Sequence, residues 1–422
     1  MNEKIKSNSN SVFSALVIVA ALGYFVDIYD LLLFGVERKD SLNEILPKEF
    51  PNADAAALSK LNKQVGQSLL NWQMAGMLIG GLFWGILGDK KGRLSVLFGS
   101  ILTYSIANIL NGFVNSTSMY ALLRFVSGFG LAGELGAGIT LVSETMSKEK
   151  RGYGTMIVAT VGVFGAVVAG FMGDVIQNWR YSFFLGGAMG LALLLLRIGV
   201  YESGLFNSLK EENVSRGNFL SLFSNRTRAL KYLSIILVTV PVWYVMGTLV
   251  LFSPEYAFQL GLPKDSVSAG KSIMYAYAGI TLGDLVSGLM SQLWRSRKKT
   301  LAFFLCLTCL GVFAYFKFGG LSVNTFYIIV AFIGFATGYW AVFMSTASEL
   351  FGTNIRSTAT TTAPNFVRGS TILISLLLAG MNKLFQDSLQ ATIITGVFIL
   401  VLGFVALYFL EETFGKDLNY YE

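Results

Sequence analysis

Histidine is absent from this 422-residue chain, and cysteine and proline are scarce, with two and six residues. Without an imidazole, histidine-based catalysis, imidazole metal ligation and histidine proton relays are excluded. Any proton that the protein transports must therefore bind to a carboxylate. Cys306 and Cys309 lie within an apolar run, where thiols behave as small packing residues, so we predict no metal site and no cofactor.

Charged residues are also few, at 14% of the chain, whereas 54% of the residues are hydrophobic. Together with a mean hydropathy of +0.60, this composition is typical of a polytopic membrane protein, because a soluble domain needs far more charge. Apolar runs of about twenty residues can cross about 30 Å of hydrocarbon. The predicted spans, numbered 1 to 12, are 12–36, 66–88, 94–114, 118–145, 153–176, 182–200, 229–258, 267–292, 299–316, 323–350, 358–384 and 388–411.

The lysines and arginines of the short loops fall on one side of these spans, as with Lys90, Lys150 and Lys298. Basic residues resist translocation, so this side is predicted to be cytoplasmic, with both termini inside. The opposite side carries a longer loop, about 37–64, in which acids and bases roughly balance. The net charge of +7 therefore reflects topology, and we expect no nucleic-acid partner. Span 1 is too long and too rich in acids for a cleaved signal peptide.

A glycine-rich, basic hinge joins spans 2 and 3, with the sequence Gly85-Ile-Leu-Gly-Asp-Lys-Lys-Gly-Arg93. Its glycines let two helices approach and turn sharply, and Asp89 can face a helix N-terminus or an arginine. The run resembles the signature loop between helices 2 and 3 of the major facilitator superfamily. The resemblance implies that Gly85, Asp89 and Arg93 take part in gating at the cytoplasmic face.

A charged spacing recurs about 205 residues along the chain: Glu144 precedes Arg151 as Glu349 precedes Arg356. Such a repeat predicts two related six-helix bundles, and repeats about an axis along the membrane normal are known from transporters. The four residues resemble the Glu and Arg that the superfamily places at the cytoplasmic ends of helices 4 and 10, where ion pairs hold one face closed. Solvated helix ends are the alternative.

The repeat also sets the predicted domain organisation. Residues 1–200 form the first bundle, residues 229–422 the second, and the polar stretch 201–228 a cytoplasmic linker. The fold class expected is thus an all-α membrane protein with twelve spans in two pseudo-symmetric bundles.

Several charges lie deep in apolar segments, where each costs about 2.5–3.5 kcal/mol on insertion scales. Asp27 and Asp30 are three residues apart in span 1 and share a face; Arg124 in span 4 lies at a similar depth and is a natural partner for one of them. Asp27-Ile-Tyr-Asp30 resembles the helix 1 signature of the aromatic acid:proton and metabolite:proton symporters. Glu134, deeper in span 4, is either a second proton site or a structural hydrogen-bonding group.

Arg368 lies about ten residues into span 11, just after Asn365, with no acid of the second half obviously balancing it. An unpaired arginine facing a cavity suggests an anionic ligand, whereas a bridge to Asp284 in span 8 would be structural; we leave both open. Pro241 predicts a kink in span 7. Further substrate-binding candidates are aromatic and amide side chains that either face the cavity or simply pack: Gln73, Trp243, Tyr244, Tyr275, Tyr339 and Trp340.

These features predict a secondary transporter of the bacterial inner membrane that takes up a small organic solute, favouring an organic anion, together with protons by alternating access. Its expected partners are the solute, protons and membrane lipid, and it is expected to be a monomer. A proton-linked exporter or exchanger uses the same architecture, and a non-transporting solute sensor is a further alternative. No nucleophile, metal cluster or phosphate loop indicates an enzyme.

Overall fold

A computed structural model describes residues 15–147, 150–201, 218–352 and 354–416, and every regular element among them is helical. Twelve helices there are long and apolar enough to cross a membrane, which confirms the predicted fold class. They are α1 Ala15–Glu49, α2 Ala55–Lys91, α3 Arg93–Asn111, α4 Thr117–Ser143, α5 Arg151–Val175, α6 Trp179–Tyr201, α7 Arg226–Val250, α8 Ala269–Leu293, α9 Arg297–Phe318, α10 Val323–Leu350, α11 Arg356–Phe385 and α12 Ser388–Phe409.

We refer to α1–α6 as the first half and to α7–α12 as the second half. The face that carries Lys90, Arg93 and Arg295 is called the cytoplasmic face, following the positive-inside rule, and the opposite face is called external. Most of the predicted linker, residues 202–217, lies outside the described residues, as do residues 1–14 and 417–422.

The predicted external loop over 37–64 is wrong, because α1 continues to Glu49 and α2 begins at Ala55. The polar end of α1 is stabilised by packing, since Leu42, Ile45 and Leu46 are fully buried there. Asp54 then caps α2 by accepting the backbone N–H of Ala57 at 2.7 Å. Two long helices joined by a short turn therefore project at the external face.

Three of the spanning helices are broken. α4 divides between Leu131 and Glu134, and α10 divides between Ala336 and Trp340, about 205 residues further on, which matches the repeat seen in the sequence. In α7 a new segment begins beside Pro241, as the predicted kink requires, and continues as a π-helix over Val245–Val250. Discontinuous helices of this kind are common where transporters bind their ligands.

Glycines bring the same helix pair into close contact in each half. Gly80 of α2 packs against the backbone of α4 at Phe129, and Gly283 of α8 packs against the backbone of α10 at Phe335 and Gly338. Small residues let membrane helices approach to backbone contact. The α2–α4 and α8–α10 crossings are thus equivalent features of the two halves.

We expect Gly283→Ala to destabilise the protein by about 1–3 kcal/mol, the usual cost of overpacking, because the added methyl group overlaps the Phe335 carbonyl oxygen and meets the Gly338 Cα at 2.9 Å. Gly380→Ala is the matched control, since nothing lies within 4 Å of its new methyl group. The thermal unfolding midpoint of the purified protein in detergent tests this. Equal midpoints for both variants would contradict the backbone contact.

Candidate functional site

A small cavity lies where the two halves meet near the middle of the helices. It has about 20 Å³ of space, room for roughly one water molecule. Both halves contribute to its wall, which includes Tyr24, Ile28, Val163, Val242, Trp243, Met246, Tyr277, Ile280, Thr337, Trp340 and Arg368. The centre of the molecule is therefore closed around a mainly apolar and aromatic space with one arginine.

That arginine is paired with an acid of the other half. Arg368 Nη2 of α11 lies 3.8 Å from Asp27 Oδ2 of α1 and donates a hydrogen bond to the Tyr24 hydroxyl at 3.3 Å. The Arg368 guanidinium also lies 5.6 Å from the ring centroid of Trp340. The two alternatives left open for Arg368 are an unpaired side chain and a bridge to Asp284; the acid beside it is instead Asp27, from the first half.

Asp284, the competitor considered for Arg368, has another role. Its carboxylate accepts the backbone N–H of Ala341 at 3.0 Å, at the start of the second segment of α10. Asp284 therefore satisfies a backbone donor that the break in α10 exposes, and it leaves Arg368 to Asp27.

Several polar atoms at this site have no hydrogen-bond partner among the described residues. They are Arg368 Nε, Trp340 Nε1 and both carboxylate oxygens of Asp27. Buried polar atoms in native proteins are nearly always satisfied. Donors left unsatisfied beside a cavity are what an anionic ligand would complete.

Asp30 belongs to a second acid–arginine cluster, inside the first half. It is fully buried and interacts electrostatically with Arg124 of α4 and with Asp27. The Arg124 guanidinium donates to Asn108 Oδ1 at 2.9 Å and lies 4.9 Å from the Phe183 ring centroid. The two acids of α1 thus face different arginines. Asp27 faces Arg368 of the second half, and Asp30 faces Arg124 of the first half.

Glu134 forms a buried ion pair with Arg197 of α6. Arg197 Nη1 donates to Glu134 Oε2 at 3.1 Å, and a shorter contact joins Arg197 Nη2 to the other oxygen. The pair lies against Gly23 of α1, which leaves no room for a side chain there. This geometry matches the structural alternative for Glu134. Sequence reasoning missed Arg197 because it stands near the end of predicted span 6, where a solvated charge is ordinary.

Asp89 of the hinge connects the halves at the cytoplasmic face. It accepts the backbone N–H groups of Ser357 and Thr358 at 3.3 and 2.8 Å, so it caps the N-terminus of α11. Arg93 Nη1 lies 3.1 Å from the same carboxylate, which therefore contacts both a helix N-terminus and an arginine. Gly85 allows this approach, because a Cβ there would lie 3.2 Å from the Thr358 Cα.

Glu349 is the centre of a second cytoplasmic cluster. It accepts from Arg151 of the first half at 3.3 Å, from Arg297 at 3.1 Å and from the Thr413 hydroxyl at 2.9 Å. Arg356 donates to the Ser348 carbonyl oxygen at 3.2 Å. The side chain of Glu144 lies outside the described residues. We call Asp89 and Glu349, with the groups that they bind, the cytoplasmic clasp.

Glu412, just beyond α12, binds the start of α9 beside this clasp. It accepts from the Ser296 hydroxyl and from the backbone N–H groups of Arg297 and Lys298 at the start of α9. Burial raises its pKa, but these hydrogen bonds and one from the Phe414 N–H outweigh burial and leave the pKa below its usual value. Its stabilising contribution is thus present above a pH of about 4.3 and is lost as the pH falls below it.

The external face is also closed by contacts between the halves. Arg38 Nη2 of α1 lies 3.0 Å from Glu255 Oε1, and its guanidinium lies 4.6 Å from the ring centroid of Phe252. Lys39 and Asp265 form a more exposed pair at 3.2 Å. The described residues therefore represent an occluded arrangement, closed at both faces.

Not all predicted substrate-binding residues lie at the cavity. Trp243, Trp340 and Arg368 line it, whereas Tyr275 is 41% exposed on the outer surface and packs against Tyr327. Sequence reasoning missed Tyr24, although it lies three residues before Asp27 and therefore on the same face of α1.

Each of the other four candidates donates to a backbone carbonyl group of a neighbouring helix, and Asn365 also donates to a carbonyl group of its own helix. Gln73 donates to Leu31, Tyr244 to Thr392, Tyr339 to Val238, and Asn365 to Ala132 and Thr361. A side chain committed in this way holds helices together in the occluded arrangement.

Comparison with known proteins gives consistent results. The family model of the Major Facilitator Superfamily matches residues 10–376. A putative niacin/nicotinamide transporter of Bacillus subtilis (strain 168) is 28% identical over 69% of this chain and 73% of its own length. A benzoate transport protein of Acinetobacter baylyi is 24% identical over 81% of this chain and 78% of its own length.

A putative metabolite transport protein of Haemophilus influenzae is 26% identical over 96% of this chain and 97% of its own length. Among solved structures, a proton:xylose symporter of the same superfamily covers 96% of this chain and 97% of its own, with a TM-score of 0.72 and 17% identity. At that identity, the likeness is one of fold.

We expect Asp89→Ala to open the cytoplasmic face more often, because a lost helix cap costs about 0.5–2 kcal/mol. A cysteine introduced by Thr361→Cys, buried between the halves, reports on this through its labelling rate with a membrane-impermeant maleimide. Cys306 and Cys309 are replaced by serine in the background. About 1 kcal/mol corresponds to roughly fivefold faster labelling.

Glu411→Ala is the control for this experiment, since Glu411 pairs with Lys231 and Lys416, both of the second half. It removes a carboxylate at the same face without breaking a contact between the halves. Equal labelling rates for Asp89→Ala and Glu411→Ala would show that the cap does not hold the face closed.

Proposed function

This chain belongs to the major facilitator superfamily, and on that premise we propose that it takes up a small organic anion together with protons by alternating access. Its twelve spans and its bacterial relatives make it an integral inner-membrane protein, in a family of transporters rather than enzymes. The observation that carries the proposal is the Asp27–Arg368 pair, which joins the halves beside the central cavity.

Charge compensation at this pair supplies the coupling. A buried charge without a partner costs several kcal/mol, so Arg368 needs a negative group at all times. When Asp27 is ionised it fulfils this need. When an external proton neutralises Asp27, a substrate anion takes its place at Arg368. The anion and the proton thus favour each other's binding, which is the thermodynamic requirement for symport.

The surroundings of Arg368 favour a flat or aromatic anion. Trp243, Trp340, Tyr24 and Tyr277 surround the cavity, and aromatic rings stack on one another in offset or edge-to-face arrangements. The carboxylate of the ligand would accept from the unsatisfied Arg368 Nε. The names of two relatives, for niacin/nicotinamide and for benzoate, support this class.

Alternating access then opens one closed face at a time. External opening breaks the Arg38–Glu255 pair, and cytoplasmic opening breaks the Asp89 and Arg151 contacts of the clasp. Proton and anion bind while the external face is open and leave together to the cytoplasm. The Asp27–Arg368 pair then forms again and permits the empty return.

We expect Asp27→Asn to abolish proton-driven accumulation but to retain counterflow, because an amide imitates the protonated acid and cannot release the proton. The assay uses proteoliposomes with radiolabelled benzoate or nicotinate and an internal pH dye. Asp54→Asn is the control, since asparagine caps a helix about as well as aspartate. An unchanged proton flux in Asp27→Asn would remove this acid from coupling, and net benzoate efflux driven by an inward proton gradient would favour an exporter.

We expect Trp340→Leu to weaken benzoate binding by roughly threefold to tenfold, because an aromatic pair contributes that much affinity in addition to the burial of its surface. The affinity for an aliphatic carboxylate such as propionate is expected to stay nearly unchanged. Competition against labelled benzoate in proteoliposomes gives both affinities. An equal loss for the two acids would indicate that Trp340 acts only by supporting Arg368.

A further inference from the structure

Three acids of α1 recur at intervals of seven residues, Asp30, Glu37 and Glu44. Seven residues make nearly two helical turns, so the side chains share one face of α1, and this face packs against α6. Asp30 lies against Gly186, and the Ser182 hydroxyl donates to Glu37 at 2.7 Å. The row of acids leads from the external end of α1 to the buried acid of the first half.

Glu44 and Glu37 are held in different ways. Glu44 accepts from Trp179 and forms salt bridges with Lys48 and Arg180, all at 2.9 Å, so its charge is fixed. Glu37 is buried, with 2% of its surface exposed, and it has no salt bridge among the described residues; its hydrogen-bond partner is the neutral hydroxyl of Ser182. Glu37 can therefore gain or lose a proton without breaking an ion pair.

Tyr29 directly precedes Asp30 in α1 and lies eight residues, about two helical turns, from Glu37. It is fully buried and interacts electrostatically with both acids. Its ring and the Asp30 carboxylate lie against the same residue, Gly186. The Tyr29 hydroxyl has no hydrogen-bond partner in the part of the chain that the structure describes. An unsatisfied buried hydroxyl in a native protein calls for an explanation. The Tyr29 ring lies beside Asp30 at Gly186, and Ser182, which binds Glu37, is one turn away on α6, so the hydroxyl lies in the region that separates the two acids.

We propose that Glu37 and Tyr29 form the path by which external protons reach Asp30. External water protonates Glu37. The Tyr29 hydroxyl bonds neither acid in the described arrangement, so the transfer takes place when these side chains turn to form both hydrogen bonds. The Glu37 carboxylic acid then gives its proton to the Tyr29 hydroxyl oxygen as the Tyr29 hydroxyl proton passes to the Asp30 carboxylate. Tyrosine is neutral before and after, Glu37 returns to its ionised form, and one proton has moved inward. This inference rests on the proposed proton coupling and adds its entry route.

The charges around the two acids agree with this direction. Asp30 faces Arg124 of α4, Asp27 of its own helix and Tyr104 of α3. A proton bound to Asp30 weakens its attraction to Arg124. Asp27 lies one helical turn closer to the cytoplasmic face. On its own helix, Glu37 faces Tyr29 and the exposed Asp40. From other helices it faces Tyr120 of α4 and the Ser182 hydroxyl of α6. Asp40 puts a negative charge at the mouth of the path, where it attracts protons.

The first test needs no substrate. After a rapid drop in pH, the carbonyl band of protonated carboxylic acids is followed by infrared spectroscopy in the detergent-purified full chain, and Asp30→Asn identifies the part of the band due to Asp30. We expect Tyr29→Phe and Glu37→Gln to slow the Asp30 phase by about a hundredfold, the low end for a positioned proton-transfer group, while its final amplitude persists. Glu44→Gln is the control, because its parent carboxylate is fixed in salt bridges.

The second test measures transport of benzoate and nicotinate in proteoliposomes. Proton-driven uptake by Tyr29→Phe and Glu37→Gln is expected to slow most at high external pH, where protons are scarce, and counterflow is expected to stay at the wild-type rate. A purely structural role would lower both rates together and overturn the path. Wild-type rates in both variants would overturn it as well but leave coupling at Asp27 intact. A wild-type protein that moves no proton with either anion and shows no infrared change would overturn both proposals.

Discussion

Burial of charge in an apolar interior is the constraint on which the arrangement of this molecule depends. An ionised side chain at bilayer depth is costly, and two of the buried acids form ion pairs with arginines from other helices. Glu134 meets Arg197 within the first half, and Asp27 meets Arg368 across the halves. Helix packing and charge compensation are therefore one requirement at the centre of the protein. Separating the halves there parts Asp27 from Arg368 and leaves both charges without this partner.

The contacts that close the two faces are built differently. At the cytoplasmic face, Asp89 binds a helix N-terminus and Glu349 binds two arginines, with both acids buried. At the external face, Arg38 is buried but its partner Glu255 is 23% exposed. The second pair there, Lys39–Asp265, is exposed, and exposed ion pairs contribute little. The charged contacts are thus more solvated at the external face than at the cytoplasmic face.

Much of this fold follows from the sequence because its signals are local. Apolar length gives the twelve spans, the hinge Gly85–Arg93 gives the cytoplasmic crossing, and a spacing of 205 residues gives the two halves. Partners between distant helices are different, since they depend on depth and on rotation about each helix. Only two positions separate Tyr275, which is exposed, from Tyr277, which lines the cavity. Arg197 resembles a helix-end charge until Glu134 of α4 is placed beside it.

The capping of α11 by Asp89 also sets an energy scale. A helix cap is worth about 1 kcal/mol, which is roughly a fivefold change in an equilibrium. A contact of that size biases the populations of the closed and open forms without trapping either of them. A ligand that prefers one form by tenfold to a hundredfold, about 1.4 to 2.8 kcal/mol, is then sufficient to reverse the ratio, whatever its absolute affinity.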